Sequence, residues 1–189
     1  MRLRAAAPED AARIAAIYTP YVTKGAVSFE ERAPDAAEMR VRMDRAGGLY
    51  PWLVAEEHGV VLGYAYAGPF RARAAYRFAA ETTIYVAEEA QGRGVGRRLY
   101  EALLNMLRAQ GFRQAIAIIA LPNAASLRLH ERLGFRRAGI NPRVGWKEGR
   151  WIDVGIWQLQ LNDCDDAPAE PRPFRDMGIA DGTSEGLSA

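Results

Sequence analysis

Residues 84–99 read IYVAEEAQGRGVGRRL, and they predict a strand, a tight turn and a helix in immediate succession. The first residues have the apolar character of a strand end, and apolar residues then recur at helical spacing as far as Leu107. A helix that begins directly after such a turn directs its free N–H groups and the positive end of its dipole at one point. The stretch therefore predicts an anion site, in which a pyrophosphate can approach the main chain at Gly92, Gly94 and Gly96.

Two familiar phosphate loops do not match this turn. The dinucleotide pattern Gly-x-Gly-x-x-Gly fails because Arg97 stands at the third glycine position, and the Gly-Lys-Ser/Thr of the triphosphate loop is missing. The neighbouring arginines, Arg93 and Arg98 together with Arg97, would add positive charge to the site. The alternative interpretation is a tight glycine-rich turn that binds no ligand.

The elements on both sides of the turn alternate between strand and helix. Periodicity predicts strands at about 3–6, 52–55, 60–67, 79–86, 115–121, 135–140 and 151–161, the fifth of them buried on both faces. Helices are predicted from Ala7 to Val22, from Asp35 to the glycines at 47 and 48, from the glycine turn to Gly111, and from the capping residue Asn123 to Gly134. The order predicts an α/β (α+β) fold, with a mixed central sheet of six to seven strands and about four flanking helices.

Composition fits one globular domain with an appended tail. The chain has 189 residues, of which 49% are hydrophobic and 25% charged. We predict a single domain over 1–161 and a flexible, acidic, proline-containing tail over 162–189. The net charge of +2 hides an asymmetry: the tail has seven acidic and two basic residues, which leaves 23 basic and 16 acidic residues before it. The domain itself is therefore basic and suited to an anionic ligand.

Several classes of protein do not fit the sequence. The single cysteine, Cys164, has no partner for an internal disulfide, and a zinc site built from cysteines is excluded. Residues 1–12 carry four charges and lack the apolar core of a signal peptide, and no run approaches the roughly 18 apolar residues of a membrane span. We expect a cytoplasmic protein with no membrane partner and no metal.

The glycine turn also matches Gln-x-x-Gly-x-Gly, through Gln91, Gly94 and Gly96. This motif resembles the acetyl-CoA pyrophosphate signature of the GCN5-related N-acetyltransferases (GNAT), and Asn123 followed by Leu133-Gly134-Phe135 resembles the second motif of that family. Three further stretches are similar to phosphinothricin N-acetyltransferases: YRFAAETTIYV at 76–86, IALPNAASLRLHERLGF at 119–135 and GWKEGRWIDVGIW at 145–157. The family resemblance covers about 1–161, and the closer one about 50–160.

The resemblance implies the GNAT fold, acetyl-CoA as co-substrate and no metal. It implies transfer of an acetyl group to the primary amine of a small amino acid analogue of the phosphinothricin or methionine sulfoximine type, for detoxification. The amine would attack directly in a ternary complex, without an acyl-enzyme. The resemblance also implies self-association as a homodimer.

Amine acetylation needs a general base, because a primary amine with a pKa of roughly 8 to 10 is mostly protonated near neutral pH. Glu81 is the candidate, and the resemblance implies a catalytic role for it; a solvated carboxylate at the strand end is the alternative. His130 lies seven residues after Asn123, where the wider family commonly has a tyrosine that protonates the departing thiolate. A histidine can donate that proton near neutral pH. A packed, hydrogen-bonded histidine is the alternative.

The remaining site residues would bind the two substrates. Ile84, Tyr85 and Val86 are expected to pair with pantetheine amides through their main chain. The other residues expected to bind the cofactor are Gln91, Gly92, Arg93, Gly94, Val95, Gly96, Arg97, Asn123 and Ser126. Asn123 could instead only cap its helix.

A basic, aromatic loop over 70–78 is the candidate acceptor site. Arg71, Arg73 and Arg77 could pair with a carboxylate or phosphinate, beside Tyr76. Phe29 is a wall of the same pocket by resemblance. Exposed arginines in a surface loop are also commonplace, which is the alternative interpretation.

Three other functions stay open at this point. The same scaffold could acetylate a different amine, such as an amino acid, an aminoglycoside, a polyamine or a peptide N-terminus. A non-catalytic acyl-CoA-binding module would need neither Glu81 nor His130. A nucleic-acid-binding module would suit the basic domain, but no groove-reading motif is present, so we expect no nucleic acid partner.

Overall fold

Within the part of the chain that the structure describes, one mixed seven-stranded sheet has the strand order β1-β2-β3-β4-β5-β7-β6. The computed structural model describes residues 1–177. The strands are β1 Arg2–Ala5, β2 Trp52–Glu57, β3 Val60–Pro69, β4 Ala79–Val86, β5 Gln114–Leu121, β6 Arg136–Lys147 and β7 Arg150–Gln160. Every neighbouring pair is antiparallel except β4 and β5, which are parallel. The predicted α/β fold with a mixed sheet is confirmed.

Four α-helices flank the described part of the sheet: α1 Ala11–Thr23, α2 Ala36–Asp44, α3 Val95–Gln110 and α4 Ala124–Arg132. Their ends follow the sequence signals. The Asp35 carboxylate accepts from the Glu38 N–H at 2.8 Å, and Asn123 Oδ1 accepts from the Ser126 N–H at 3.1 Å. Gly111, at φ +95°, ends α3. Helix α2 stops at Asp44, before the glycines that were expected to end it.

Strands β4 and β5 separate after three residue pairs, and this fork positions the site. Pairing is limited to Ala79–Glu81 with the segment 114–116, whereas β5 pairs with β7 along its whole length. Beyond the fork Ile118 is 42% exposed. The prediction that β5 is buried on both faces is therefore wrong at Ile118, because β4 no longer covers its edge there.

The two faces of the sheet carry different helices. Thr82 on β4 is hydrogen-bonded to Tyr100 of α3, so this face meets α3 and α4. Tyr85, three residues further on, packs against Tyr18 and Tyr21 of α1, so the opposite face meets α1 and α2. Successive residues of β4 therefore point to different helix pairs.

The edge strand β6 is longer than the sequence indicated. A strand over 135–140 was expected, but β6 continues to Lys147 with irregular register between Asn141 and Gly145. Pro142 and the glycines at 139 and 145 obscure the alternation that normally identifies a strand.

The start of the predicted flexible tail is held against the domain. The buried Gln110 side chain donates to the Leu49 and Arg172 carbonyls, both at 2.7 Å. The Phe174 N–H donates to the Leu49 carbonyl, and Glu170 pairs with Arg77 at 2.8 Å. Over 162–177 the structure thus differs from the expectation, because a buried amide needs these partners. The part of the predicted tail at 178–189 lies outside the described residues.

No helix within residues 1–177 combines the length and the apolar character needed to cross a bilayer.

Candidate active site

The fork opens into a cleft between β4, β5 and the starts of α3 and α4. A cavity of about 390 Å³ follows the glycine turn, and a narrower one of about 70 Å³ lies between the two strands. Both are lined by Val27, Ile84, Tyr85, Asn123 and Ser126, so they form one continuous cleft. The N-terminal end of α3 meets this cleft at the glycine turn, as expected for an anion site.

The glycine turn contributes main chain rather than arginines to the cleft. Its residues that line the larger cavity are Gln91, Gly92, Gly94, Val95 and Gly96. Arg93 pairs with Glu57 at 2.5 Å, and Arg97 pairs with Glu101 at 2.8 Å. Neither arginine lines the cavity, so the expectation that both bind the cofactor is not matched by this geometry. Strand β2 places the Glu57 carboxylate beside Arg93, and the next turn of α3 places the Glu101 carboxylate beside Arg97.

The free edge of β4 offers less main chain than the sequence suggested. Tyr21 Oη donates to the Val86 carbonyl at 2.6 Å and accepts from the Val86 N–H at 3.3 Å. Alternate residues of an antiparallel strand bond to alternate sides, so the polar groups of Tyr85 face β3 and those of Ile84 face the cleft. Of the three residues expected to pair with pantetheine amides, only Ile84 has its main chain free for it. Gln91 Nε2 also donates to the Tyr21 hydroxyl, at 3.2 Å.

Glu81 lies at the apex of the fork, in the last parallel pair of β4 and β5. Its carboxyl group is half-buried and faces α1 and α2, on the same side as Thr83 and Tyr85. Burial raises the pKa of Glu81, and the nearby positive charge of Arg71 opposes that shift. Glu81 does not line either cavity of the cleft, but a carboxylate with a raised pKa at the point where the two strands separate is suited to accept a proton.

His130 lies on the other face of β4 and is only 3% exposed. Its Nδ1 is 2.7 Å from the Ser126 carbonyl, which can only accept, so Nδ1 carries the proton. Nε2 then accepts from the Tyr100 hydroxyl at 3.0 Å, and Tyr100 is in turn 2.6 Å from Thr82 Oγ1. Burial lowers the pKa of His130, which favours this neutral form. Both ring nitrogens thus have protein partners, the geometry of a packed histidine.

Comparison with known proteins agrees with this arrangement. A family model described as "Acetyltransferase (GNAT) domain" matches residues 3–156. This chain is a member of the GNAT acetyltransferase family.

Related proteins of the GNAT family match nearly the whole chain. A phosphinothricin N-acetyltransferase of Streptomyces viridochromogenes is 42% identical over 93% of both chains. An L-methionine sulfoximine/L-methionine sulfone acetyltransferase of Pseudomonas aeruginosa is 40% identical over 88% of this chain and 98% of its own. Among solved structures, a GNAT phosphinothricin acetyltransferase from Sinorhizobium meliloti in complex with AcCoA superposes with a TM-score of 0.86, at 41% identity, covering 92% of this chain and 96% of its own.

The arginine loop of this GNAT acetyltransferase is exposed and mostly occupied with its own contacts. Arg77 lies over the Phe78 ring at 4.3 Å and pairs with Glu170, while Arg71 lies over the Phe70 ring at 5.0 Å. The other predicted acceptor residues of this loop, Arg73 and Tyr76, are exposed. Of the group, Arg71 is the one whose charge reaches Glu81.

Sequence reasoning missed a lysine that fastens the roof of the cleft. Lys147 Nζ donates to the Val22, Ser28 and Glu30 carbonyls at 2.7, 2.7 and 2.8 Å. The Val22 carbonyl belongs to the last turn of α1, and the other two belong to the segment 24–30 after it, the roof segment, which also places Val27 over both cavities. No sequence pattern connects residues that are more than 100 positions apart.

Phe29 belongs to the same roof segment, and its ring lies on Gly145 of β6. A Cβ at position 145 would overlap that ring, so the close approach requires glycine. Phe29 is 42% exposed and lines neither cavity of the cleft, so its expected place in the wall of the acceptor pocket stays a prediction.

The described residues contain no group of three or more His, Cys, Asp or Glu side chains arranged to hold a metal ion.

Proposed function

We propose that this GNAT enzyme transfers an acetyl group from acetyl-CoA to the primary amine of a small amino acid analogue of the phosphinothricin or methionine sulfoximine type. The names of the relatives support this substrate class. The observation that carries the proposal is Glu81, a half-buried carboxylate with a raised pKa at the apex of the fork. A pure binding module has no use for such a group.

The cleft fits acetyl-CoA at two places. Free N–H groups at the start of α3 and at Gly92 and Gly94 suit the pyrophosphate, since both glycines have positive φ and no side chain. The free main chain of Ile84 suits one pantetheine amide, with Ser126 across the cleft. When bound, acetyl-CoA supplies an acetyl thioester as the electrophile.

Glu81 acts on the acceptor. A substrate ammonium group that reaches the fork from the α1 and α2 side would give a proton to the Glu81 carboxylate, which frees its lone pair for attack on the acetyl carbon. As the C–N bond forms, the C–S bond breaks, and CoA leaves as a thiolate that takes up the proton lost by the nitrogen. Burial brings the pKa of the Glu81 carboxyl group closer to the pKa of the amine, which assists proton transfer between them. The attack is direct, because Cys164 is exposed beside Gln114 and does not line the cleft.

His130 has a supporting role in this proposal. Through Tyr100 and Thr82 it connects α4 and α3 to β4, and Thr82 Oγ1 also lies 3.2 Å from the Ile116 carbonyl oxygen of β5. These contacts join both strands of the fork beside the last parallel pair. They favour a packed, neutral His130 over a direct acid for the thiolate.

We also propose a cytoplasmic homodimer with a detoxifying role. The single cysteine suits a reducing compartment. Val144, Trp146 and Trp151 are 58%, 59% and 56% exposed on the β6–β7 hairpin, which lies at the edge of the sheet. Exposed apolar side chains on an edge strand are a common contact between copies. Light scattering should give twice the chain mass, and Trp146→Lys should reduce it to the monomer value.

The decisive experiment measures free CoA release with acetyl-CoA and phosphinothricin, methionine sulfoximine, ordinary amino acids, an aminoglycoside or spermidine. Saturable release with the first two supports the proposal. Release with no amine, despite a rise in melting temperature with acetyl-CoA, would make the chain an acyl-CoA-binding module. A melting temperature that rises with nucleic acid instead of acetyl-CoA would contradict both.

A further inference from the structure

A second cavity, of about 260 Å³, lies outside the cleft between α2 and β3. We name it the aromatic groove, and the residues that define it are Tyr18, Met39, Trp52, Tyr64, Tyr66 and Gly68. The Trp52 and Tyr66 rings stack at 4.1 Å, and the Trp52 and Tyr64 rings at 5.9 Å. A cavity of about 150 Å³ is enough to hold benzene, so the groove has room for one large side chain.

The groove has an apolar floor and a compensated charge. Arg42 lines it, but both terminal guanidinium nitrogens of Arg42 donate to the Glu30 carboxylate, at 2.6 and 2.8 Å. Arg45 is exposed at the rim. Aromatic rings and a methionine thioether favour an apolar or sulfur-containing occupant, whereas an anion would lose hydration without a free buried cation to pair with.

The groove reaches Gly68, next to the fork, on the same face of the sheet as Glu81. Tyr64, Tyr66 and Gly68 alternate along β3 and share one face. Gly68 stands directly opposite Glu81 in the β3–β4 pairing, so the two residues are neighbours on that face. A Cβ at Gly68 would have no heavy atom within 4 Å. The open space beside Gly68 therefore lies between the rest of the groove and the residue paired with Gly68, Glu81.

We propose that the aromatic groove binds the side chain of the acceptor while the acceptor amine lies at Glu81. The inference rests on the proposed function and specifies its substrate: an amino acid with an uncharged, largely apolar side chain about the size of that of methionine or phenylalanine. Gly68 is then the specificity-determining residue, because its missing side chain leaves the passage open. Methionine-like acceptors rank above phosphinothricin, whose phosphinate is anionic.

The test compares kcat/KM for L-methionine, L-phenylalanine, methionine sulfoximine, phosphinothricin and L-alanine, measured by CoA release. The variants are Gly68→Ala and Gly68→Val, with Gly139→Val as the matched control. Gly139 is also a strand glycine with an ordinary φ and no atom within 4 Å of a Cβ. Melting curves confirm that each variant is folded.

In the wild type, methionine should exceed both alanine and phosphinothricin by about tenfold or more in kcat/KM, which corresponds to about 1.4 kcal/mol of side-chain binding. Gly68→Val should reduce the methionine-to-alanine ratio by about tenfold, Gly68→Ala by less, and Gly139→Val should leave the ratio unchanged.

Three results would overturn the inference. The first is a wild type that prefers phosphinothricin to methionine, and the second is a Gly68→Val enzyme that loses activity equally with every acceptor. The third is an unchanged methionine-to-alanine ratio in Gly68→Val; if the mass of the variant also changes, the groove is a contact between two copies. If no amine is acetylated at all, the proposed function itself fails, and the inference fails with it.

Discussion

The two faces of β4 differ in kind although their residues alternate along one strand. Toward α1 and α2, Glu81 is half-buried, has a raised pKa and adjoins open space at Gly68. Toward α3 and α4, Thr82 belongs to a closed hydrogen-bond chain with Tyr100 and His130, each of them at most 3% exposed. Neighbouring positions thus serve reactivity on one face and rigidity on the other, and substitutions at adjacent residues should have separable effects.

The largest effect is expected on the reactive face. Glu81→Gln removes the proton acceptor and should lower kcat by about 100- to 10,000-fold. The rise in melting temperature caused by acetyl-CoA should persist, because Glu81 does not line the cofactor cavities. Glu88→Gln is the control, since Glu88 is exposed and pairs with Lys24. Full turnover by Glu81→Gln across about pH 6 to 9 would disprove the base assignment.

On the rigid face, Tyr100→Phe should affect stability more than chemistry. It leaves His130 Nε2 and Thr82 Oγ1 without their buried partner, which costs about 1–3 kcal/mol of unfolding free energy. Urea denaturation measures this change, and CoA release per folded molecule should fall far less than in Glu81→Gln. Tyr76→Phe, on the exposed loop, should change stability by less than about 0.5 kcal/mol. A Tyr100→Phe enzyme as stable as the wild type would break the contrast between the two faces.

The pH dependence of stability should distinguish His130 from an exposed histidine. Burial lowers the pKa of His130, and the hydrogen bond to the Ser126 carbonyl offsets part of that shift. As pH falls below about 6.5 the unfolded chain binds this proton before the folded one does, so folding stability decreases. Denaturation at about pH 7.5 and 5 should show a smaller loss for His130→Gln than for the wild type. Equal losses would mean that His130 has an ordinary pKa.

Glu81 should give a small effect of the opposite sign. Because burial raises its pKa, the folded state keeps this proton at a pH where the unfolded chain has released it. Stability from this group is therefore lost as pH rises through the folded pKa. Glu81→Gln should be about as stable as the wild type near pH 4 and slightly more stable near pH 8. A stability difference independent of pH would contradict the raised pKa.

The sequence predicted the elements that depend on local chemistry. Asp35 and Asn123 have side chains that cap a helix, and glycines with positive φ mark the turn before α3, so each signal lies within a few residues of its effect. The order of strands and helices follows from the same local periodicity. Glu81 could be named because a base was required and because the surrounding motif resembled a known family.

Long-range side-chain choices could not be predicted. Arg93 lies within the glycine turn, but its side chain pairs with Glu57, which comes near it only in the folded sheet. The exposure of Ile118 depends on where β4 leaves β5, and the position of Arg172 depends on a buried glutamine amide. In each case the partner is at least 30 residues away, and hydrophobic periodicity contains no information about it.

The contact between Phe29 and Gly145 makes two distant positions interdependent. While the phenyl ring lies on Gly145, a side chain at position 145 would overlap it, so a substitution there forces the half-exposed Phe29 ring to move. Replacing Phe29 by a smaller residue removes the overlap, so that position 145 can accept a side chain. Mutant libraries of this acetyltransferase should therefore vary positions 29 and 145 together, because libraries that vary one position alone miss the combinations in which both residues change.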